Sequence, residues 1–187
     1  MYVILAAGRS RRMGFDKPVT PLAGRAPLAR IGGALGEREV IVVVPSHLAG
    51  AARQLLNQAR VIANDEPNLG MAHSLRCALS AIDETRAFAI VLADMPAITR
   101  TVIERTEALF LESHADVTYP VNASGVPGHP VLFSPRARVL IDALPAGDTL
   151  RAARDDESLR RATWVCEDDG AFRDLDDPQQ WETFADA

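Results

Sequence analysis

Four short runs, Tyr2-Val3-Ile4-Leu5, Val40-Ile41-Val42-Val43-Val44, Val61-Ile62-Ala63 and Phe88-Ala89-Ile90-Val91-Leu92, are apolar throughout and rich in β-branched residues. Runs of this length, without the alternation of a half-exposed strand, are the pattern of strands buried on both faces. Helical segments near Leu28 to Leu35, Leu48 to Ala59 and Met71 to Ile82 lie between them. Strand alternating with helix predicts an α/β layer fold with a mainly parallel central sheet, doubly wound in its first half. The chain has 187 residues, 48% of them apolar and 24% charged. That length and balance predict one domain, residues 1–187, around one core.

The second half reads less regularly. Thr99 is placed to cap a helix that carries Val102, Ile103, Thr106, Leu109 and Phe110 on one face. Val117-Thr118-Tyr119 and Pro130-Val131-Leu132-Phe133 read as strands around a turn-rich polar loop, Asn122 to His129, with the composition to line a site. Ser134-Pro135 and Asp177-Pro178 each set a capping side chain before a proline at the first helical position, and Gln180 extends the second towards a capping box. The acidic clusters Asp155-Asp156-Glu157 and Glu167-Asp168-Asp169 read as solvated surface, and Trp164 and Trp181 as packing anchors.

Lysine and arginine number 20 against 25 aspartates and glutamates, a formal charge of −5. This argues against nucleic acid or an anionic membrane as a partner and leaves any anion to a local site. No apolar stretch is long enough to span a bilayer, and Met1-Tyr2-Val3-Ile4 starts a strand without a basic leader, so a cytoplasmic location is expected. Cys77 and Cys166 stand apart with no CxxC pair, which predicts two small buried hydrophobes in place of a zinc or disulfide scaffold.

The segment Leu5-Ala6-Ala7-Gly8-Arg9-Ser10-Arg11-Arg12-Met13-Gly14-Phe15-Asp16-Lys17 leaves the first strand with two glycines and four cations. Small residues let backbone N–H groups approach an anion closely, and Arg12 and Lys17 are placed to close such a phosphate cradle. An ordinary exposed basic turn is the other reading. Neither GxxxxGK[ST] nor GxGxxG fits, which sets aside a P-loop and a dinucleotide fold. In Leu92-Ala93-Asp94-Met95-Pro96 a carboxylate follows the end of an apolar strand, where open α/β sheets bind ligands. An oxygen ligand there suits Mg²⁺ shared with substrate phosphates, and a turn cap is the alternative.

Together these residues resemble the MobA-like nucleotidyltransferases, whose opening signature, close to LAAGxSxRMGxxK, is matched from Leu5 to Lys17. The resemblance extends through Asn64 to Leu75, Ala93-Asp94-Met95-Pro96, Gly128-His129-Pro130 and Asp174-Leu175-Asp176-Asp177-Pro178. It implies a Rossmann-like three-layer nucleotidyltransferase fold that moves a nucleoside monophosphate from an NTP to an acceptor phosphate and releases pyrophosphate. By the same resemblance Leu5, Ala6, Ala7 and Gly8 hold base and ribose, with Asp65, Gly70 and Ser74 also on the nucleotide. Ser10, Arg12 and Lys17 contact the triphosphate, and Asp94 holds Mg²⁺ with Asp176 as a second ligand; Arg12, Lys17 and Asp94 carry the catalysis. The LAAG form and the GxPGHPV segment, Gly125 to Val131, resemble the molybdenum cofactor cytidylyltransferases, which implies CTP as donor and molybdenum-bound molybdopterin as acceptor. His129 either helps hold that acceptor or braces its loop. Gly147-Asp148-Thr149-Leu150-Arg151 stands where cytidylyl members show a GDxGAR-like stretch, and His73-Ser74 where many relatives have two serines. GTP as donor, or a sugar or polyol phosphate as acceptor, is the alternative within the same chemistry. A non-catalytic nucleotide-binding chaperone that delivers cofactor to a molybdoenzyme is the alternative outside it.

Overall fold

The structure, a computed structural model, describes residues 1–7, 14–145 and 149–185. The four apolar runs form the expected strands, β1 (Tyr2–Leu5), β2 (Val40–Pro45), β3 (Arg60–Asn64) and β4 (Phe88–Leu92), but β3 lies at the sheet edge with Arg60 and Ala63 exposed, so burial on both faces does not hold for it. Between them lie α1 (Pro27–Leu35), α2 (Ala49–Leu55) and α3 (Gly70–Leu79), followed by α4 (Arg100–Ser113). The remainder consists of β5 (Val117–Val121), β6 (Val131–Phe133), α5 (Pro135–Ala143), α6 (Leu150–Arg154), β7 (Arg161–Val165) and α7 (Pro178–Ala185). Among the described residues, no helix is long and apolar enough to cross a membrane.

The seven strands make one sheet in the order β3-β2-β1-β4-β6-β5-β7. All pairings are parallel except those of β6, which runs antiparallel to β4 and to β5. Successive side chains of a strand point to opposite faces, and here both faces are covered. Val3 and Leu5 of β1 join Ile41, Val43, Phe88 and Ile90 in the core beneath α3 and α5. Tyr2 and Ile4 join Val42, Val44, Ala89 and Val91 beneath α1, α2 and α4. Phe88 and Phe133 stack with centroids 5.5 Å apart, which fixes the three-rung ladder between β4 and β6.

Local chemistry sets the helix ends. Thr99 caps α4 as expected, its hydroxyl accepting from Val102 N at 3.4 Å. The capping box at α7 is reciprocal: Gln180 N donates to Asp177 Oδ1 at 2.9 Å, and Asp177 N donates to Gln180 Oε1 at 3.1 Å. Ser134 departs from the expectation. Its hydroxyl makes no cap and instead donates to the buried carboxylate of Asp116 at 3.1 Å, which turns the side chain away from the helix N–H groups.

The acidic stretch at 167–169 is also more than solvated surface. Asp168 accepts from the Thr99 hydroxyl at 2.7 Å and from Gly170 N at 2.9 Å, tying the chain after β7 to the start of α4. Trp164 confirms its reading as an anchor, lying under the Arg105 guanidinium at 4.3 Å and donating from its indole to Thr106 at 3.1 Å. Trp181 of α7 meets the edge of Phe15 at 5.1 Å and so draws the last helix onto the first loop. Both cysteines are free; Cys166 is buried in a small cluster with Val102 and Ala171, whereas Cys77 is only half-buried.

Candidate active site at the carboxyl edge of the sheet

The chain leaves β1 through Ala6 and Ala7 and leaves β4 through Ala93 and Asp94, so both exits open on the same edge of the parallel half. Because β6 runs the other way, its beginning lies at that edge too. Val131 pairs with Ile90, which brings His129 to the level of Leu92. Two cavities result, of about 260 and 380 Å³, and both touch Met71 and Leu92.

Leu5, Ala6 and Ala7 line the smaller cavity on one side, and Gly70, Met71 and Ser74 on the other. Gly70 adopts φ +90°, a conformation that glycine reaches without a Cβ clash, where the chain turns from a 3₁₀ turn into α3. Lys17, Asp94 and Asp176 face the same space. Asp65 does not line it; its carboxylate accepts from the Ser46 hydroxyl beyond the end of β2. Gly8, Ser10 and Arg12 lie outside the described residues.

Ser74 is buried and already committed: its hydroxyl donates to Gly70 O at 3.3 Å and accepts from Asn64 Nδ2 at 3.0 Å. Asn64 in turn accepts from Glu66 N at 2.8 Å. Asn64 was not singled out from the sequence, yet it holds the wall of the cavity, because an unpaired buried amide at this place would cost about 1–3 kcal/mol. Its position at the end of an apolar run, before an Asp-Glu-Pro turn, was the available signal.

The last segment of the chain crosses the exit of β4. Leu175 N donates to Asp94 O at 2.9 Å, while the Lys17 ammonium donates to Leu175 O at 2.6 Å and to Asp176 Oδ1 at 3.1 Å. Asp94 Oδ1 is buried without a hydrogen-bond partner among the described residues. Burial, then the charge of Asp176, push the Asp94 carboxyl up to about 6, against the opposing pull of Lys17. A buried carboxylate oxygen with no donor and a second carboxylate beside it form a site short of positive charge. Among the described residues no three His, Cys, Asp or Glu side chains converge on one metal position. Two carboxylates with room for ligand oxygens nonetheless fit Mg²⁺, which takes few protein ligands and completes its shell with water and phosphate.

The larger cavity has an apolar floor of Ile90, Val131 and Phe133 and a basic rim of Arg151 and Arg154. His129 lines it, and burial, with the Arg154 charge second, lowers its imidazole to about 4. The ring is therefore neutral near pH 7, able to exchange a hydrogen bond with a ligand but not to supply charge. Arg154 is also bound to Asp155 through two contacts of 2.7 and 2.8 Å, which leaves Arg151 the more available cation. Of the polar loop expected to line a site, only His129 reaches the cavity. Asn122 Oδ1 accepts from Ser124 N and Val126 N, both at 2.9 Å, and closes the loop on itself. Gly128 is packed so tightly against Ala171 O and Phe172 that a Cβ would overlap both.

The family model described as the MobA-like NTP transferase domain matches residues 2–163. The Bifunctional protein GlmU of Aromatoleum aromaticum is 34% identical over 111 residues, covering 57% of this chain and 24% of that protein. The chain thus spans about a quarter of the length of the curated relatives it matches. Crystal structures of Rv0371c from Mycobacterium tuberculosis H37Rv superpose over 100% of this chain and 97% of that one: one at TM-score 0.79 and 21% identity, and a complex with manganese at 0.74 and 20%. Molybdopterin-guanine dinucleotide biosynthesis protein A from Archaeoglobus fulgidus superposes at TM-score 0.72 and 14% identity, covering 99% of this chain and 96% of its own. With the family model covering most of its length, the chain belongs to the MobA-like NTP transferase domain family.

Proposed function

We propose that the protein is a nucleotidyltransferase that uses Mg²⁺ to move CMP from CTP onto a phosphate of molybdenum-bound molybdopterin, with release of pyrophosphate. The observation that carries the reading is the pair of adjoining cavities, one holding an Asp94 oxygen that has no partner among the described residues beside Lys17 and Asp176, the other apolar-floored with an arginine rim. In this reading the smaller cavity takes the nucleotide, its base and ribose against Leu5 to Gly8 and the wall fixed by Asn64 and Ser74, with Asp65 further out. Ser10, Arg12 and Lys17 take the triphosphate. The larger cavity takes the acceptor, a ring system over Ile90 and Phe133 and a phosphate towards Arg151, with neutral His129 as a hydrogen-bonding partner.

An acceptor phosphate oxygen attacks the α-phosphorus in line; that P–O bond forms as the bond to the β-phosphate breaks, and pyrophosphate leaves. The acceptor is already ionised near neutral pH, so no general base is assigned. The protein's part is to hold two anions at reacting distance and to neutralise charge gathering on the leaving group with Arg12 and Lys17. Asp94 and Asp176 are the residues that would hold Mg²⁺, whose contribution when bound is to neutralise phosphate oxygens. The manganese complex of Rv0371c supports a divalent ion in this fold.

The LAAG and GxPGHPV segments favour CTP, while the name of the Archaeoglobus fulgidus neighbour favours GTP as the second reading. The test is pyrophosphate release with each NTP and molybdopterin acceptors, for the wild type and Asp94→Ala. Turnover with CTP that is lost in the variant supports the proposal, and full turnover in Asp94→Ala sinks it.

A further inference from the structure

The Lys17 side chain is only 12% exposed, whereas its partner Asp176 is 54% exposed. A desolvated ammonium needs anionic partners close by, and without ligand it has them in Leu175 O and Asp176 Oδ1, with Asp94 near enough for its charge to be felt. The same ammonium occupies one of the two carboxylates that a divalent ion requires. Among the described residues Asp94 Oδ1 has no hydrogen-bond partner, while the Lys17 ammonium donates to the outer carboxylate of Asp176.

We propose that Lys17 is a monovalent placeholder for the divalent ion: in the empty site it competes with the metal for Asp176, and it yields only when a nucleotide phosphate gives it another partner. The inference rests on the nucleotidyltransferase reading above. It assigns Lys17 a positioning role beyond contact with phosphate, making metal and nucleotide binding mutually dependent. By linkage, whatever the nucleotide gains from the metal the metal gains from the nucleotide. Ordered loading follows. A metal ion alone is poorly held, and the carboxylates become available to it once Lys17 has moved onto the nucleotide. The contact spans 159 residues of sequence, so the exchange also loosens the tie between the first loop and the segment leading into α7.

The test is Mn²⁺ binding to the full-length chain without nucleotide, measured by electron paramagnetic resonance, for wild type, Lys17→Met, Lys17→Gln and Asp176→Asn. Lys17→Gln removes the charge while keeping an N–H donor on a side chain one atom shorter, so it covers the case in which Lys17→Met fails to fold. We expect both lysine variants to bind Mn²⁺ alone at least tenfold more tightly than wild type, and Asp176→Asn to bind it more weakly. With saturating CTP the lysine variants lose that advantage, because the wild-type lysine is then on phosphate. Equal or weaker Mn²⁺ binding in folded lysine variants, with wild type binding normally, overturns the placeholder and leaves the proposed function standing. Absence of Mn²⁺ binding in every protein, with and without nucleotide, overturns both.

Discussion

Replacing Asp94 with asparagine is expected to stabilise the ligand-free protein while removing a ligand of the proposed metal site. Burial and the neighbouring Asp176 raise the Asp94 carboxyl from 3.8 to about 6, so the folded state holds its proton more tightly than the unfolded chain does. The sign follows from linkage. Below pH 3.8 both states are protonated and Asp94 costs nothing. Between there and about 6 the unfolded chain ionises first, and stability falls as pH rises; above about 6 the penalty is complete. At about 1.4 kcal/mol per pH unit the ceiling is ~3 kcal/mol, and solvent screening at the open cavity reduces this to about 1–2 kcal/mol. Asparagine has nearly the same shape and no charge to bury. In a chain of this size each kcal/mol moves the melting temperature by about 2–4 °C. The assay is thermal unfolding of wild type and Asp94→Asn from pH 4.5 to 8 in excess chelator. The variant should melt about 2–8 °C higher at pH 7.5, with the gap closing towards pH 4.5. Mn²⁺ in excess over the chelator, added together with CTP, should then raise the wild type more than the variant and reverse the order. A gap that is independent of pH, or a variant that melts lower throughout, would refute the electrostatic account.

Other outcomes follow from the same geometry. Arg151→Ala should raise the acceptor KM about tenfold while leaving the CTP KM near its wild-type value, as steady-state kinetics with each substrate varied will read. His129 titrates near 4, so the acceptor KM should not change through its ionisation between pH 5.5 and 8, and a step there that disappears in His129→Gln contradicts its neutral state. Asp177→Ala removes the N-cap of α7 and should cost about 0.5–2 kcal/mol in denaturant unfolding. Although burial works against its charge, Asp116 is held below the usual carboxylate range by Arg160 N, the Ser134 hydroxyl and the Arg160 guanidinium. It contributes stability above that range and loses it as pH falls, so Asp116→Asn should flatten the acid limb of the unfolding curve.

The parallel half of the fold was legible because β1, β2 and β4 are apolar and buried on both faces, and because β3, although an edge strand with Arg60 exposed, keeps the apolar run Val61-Ile62-Ala63. β7 was not: Arg161-Ala162-Thr163-Trp164-Val165 is an edge strand with alternating exposure and polar side chains, too weak a signal alone. The direction of β6 was equally hidden, since a run such as Val131-Leu132-Phe133 has the same composition whichever way its neighbours run. At the site, Asp94 could be found because a carboxylate after a buried strand has few other uses. The tie between Lys17 and Asp176 could not, because nothing in either segment says that they meet. The closed loop at Asn122 shows the converse error, where polar composition served the loop's own backbone and only its last residue reached a cavity.

The short ladder between β4 and β6 makes a ruler of the sheet. In the proposed reading the nucleotide wall hangs from β1 and β4 and the acceptor wall from β6, and three residue pairs pinned by Phe88 against Phe133 set the offset between them. Side chains return to the same face every second residue, so the smallest slip that preserves the core is two residues, roughly 7 Å along the strand. That step is far larger than the tolerance of an in-line transfer, which confines reacting atoms to about 3–3.5 Å. The spacing between donor and acceptor is therefore quantised. Evolution can reshape either wall by changing its loops, but it can alter the gap between them only by rebuilding the centre of the sheet.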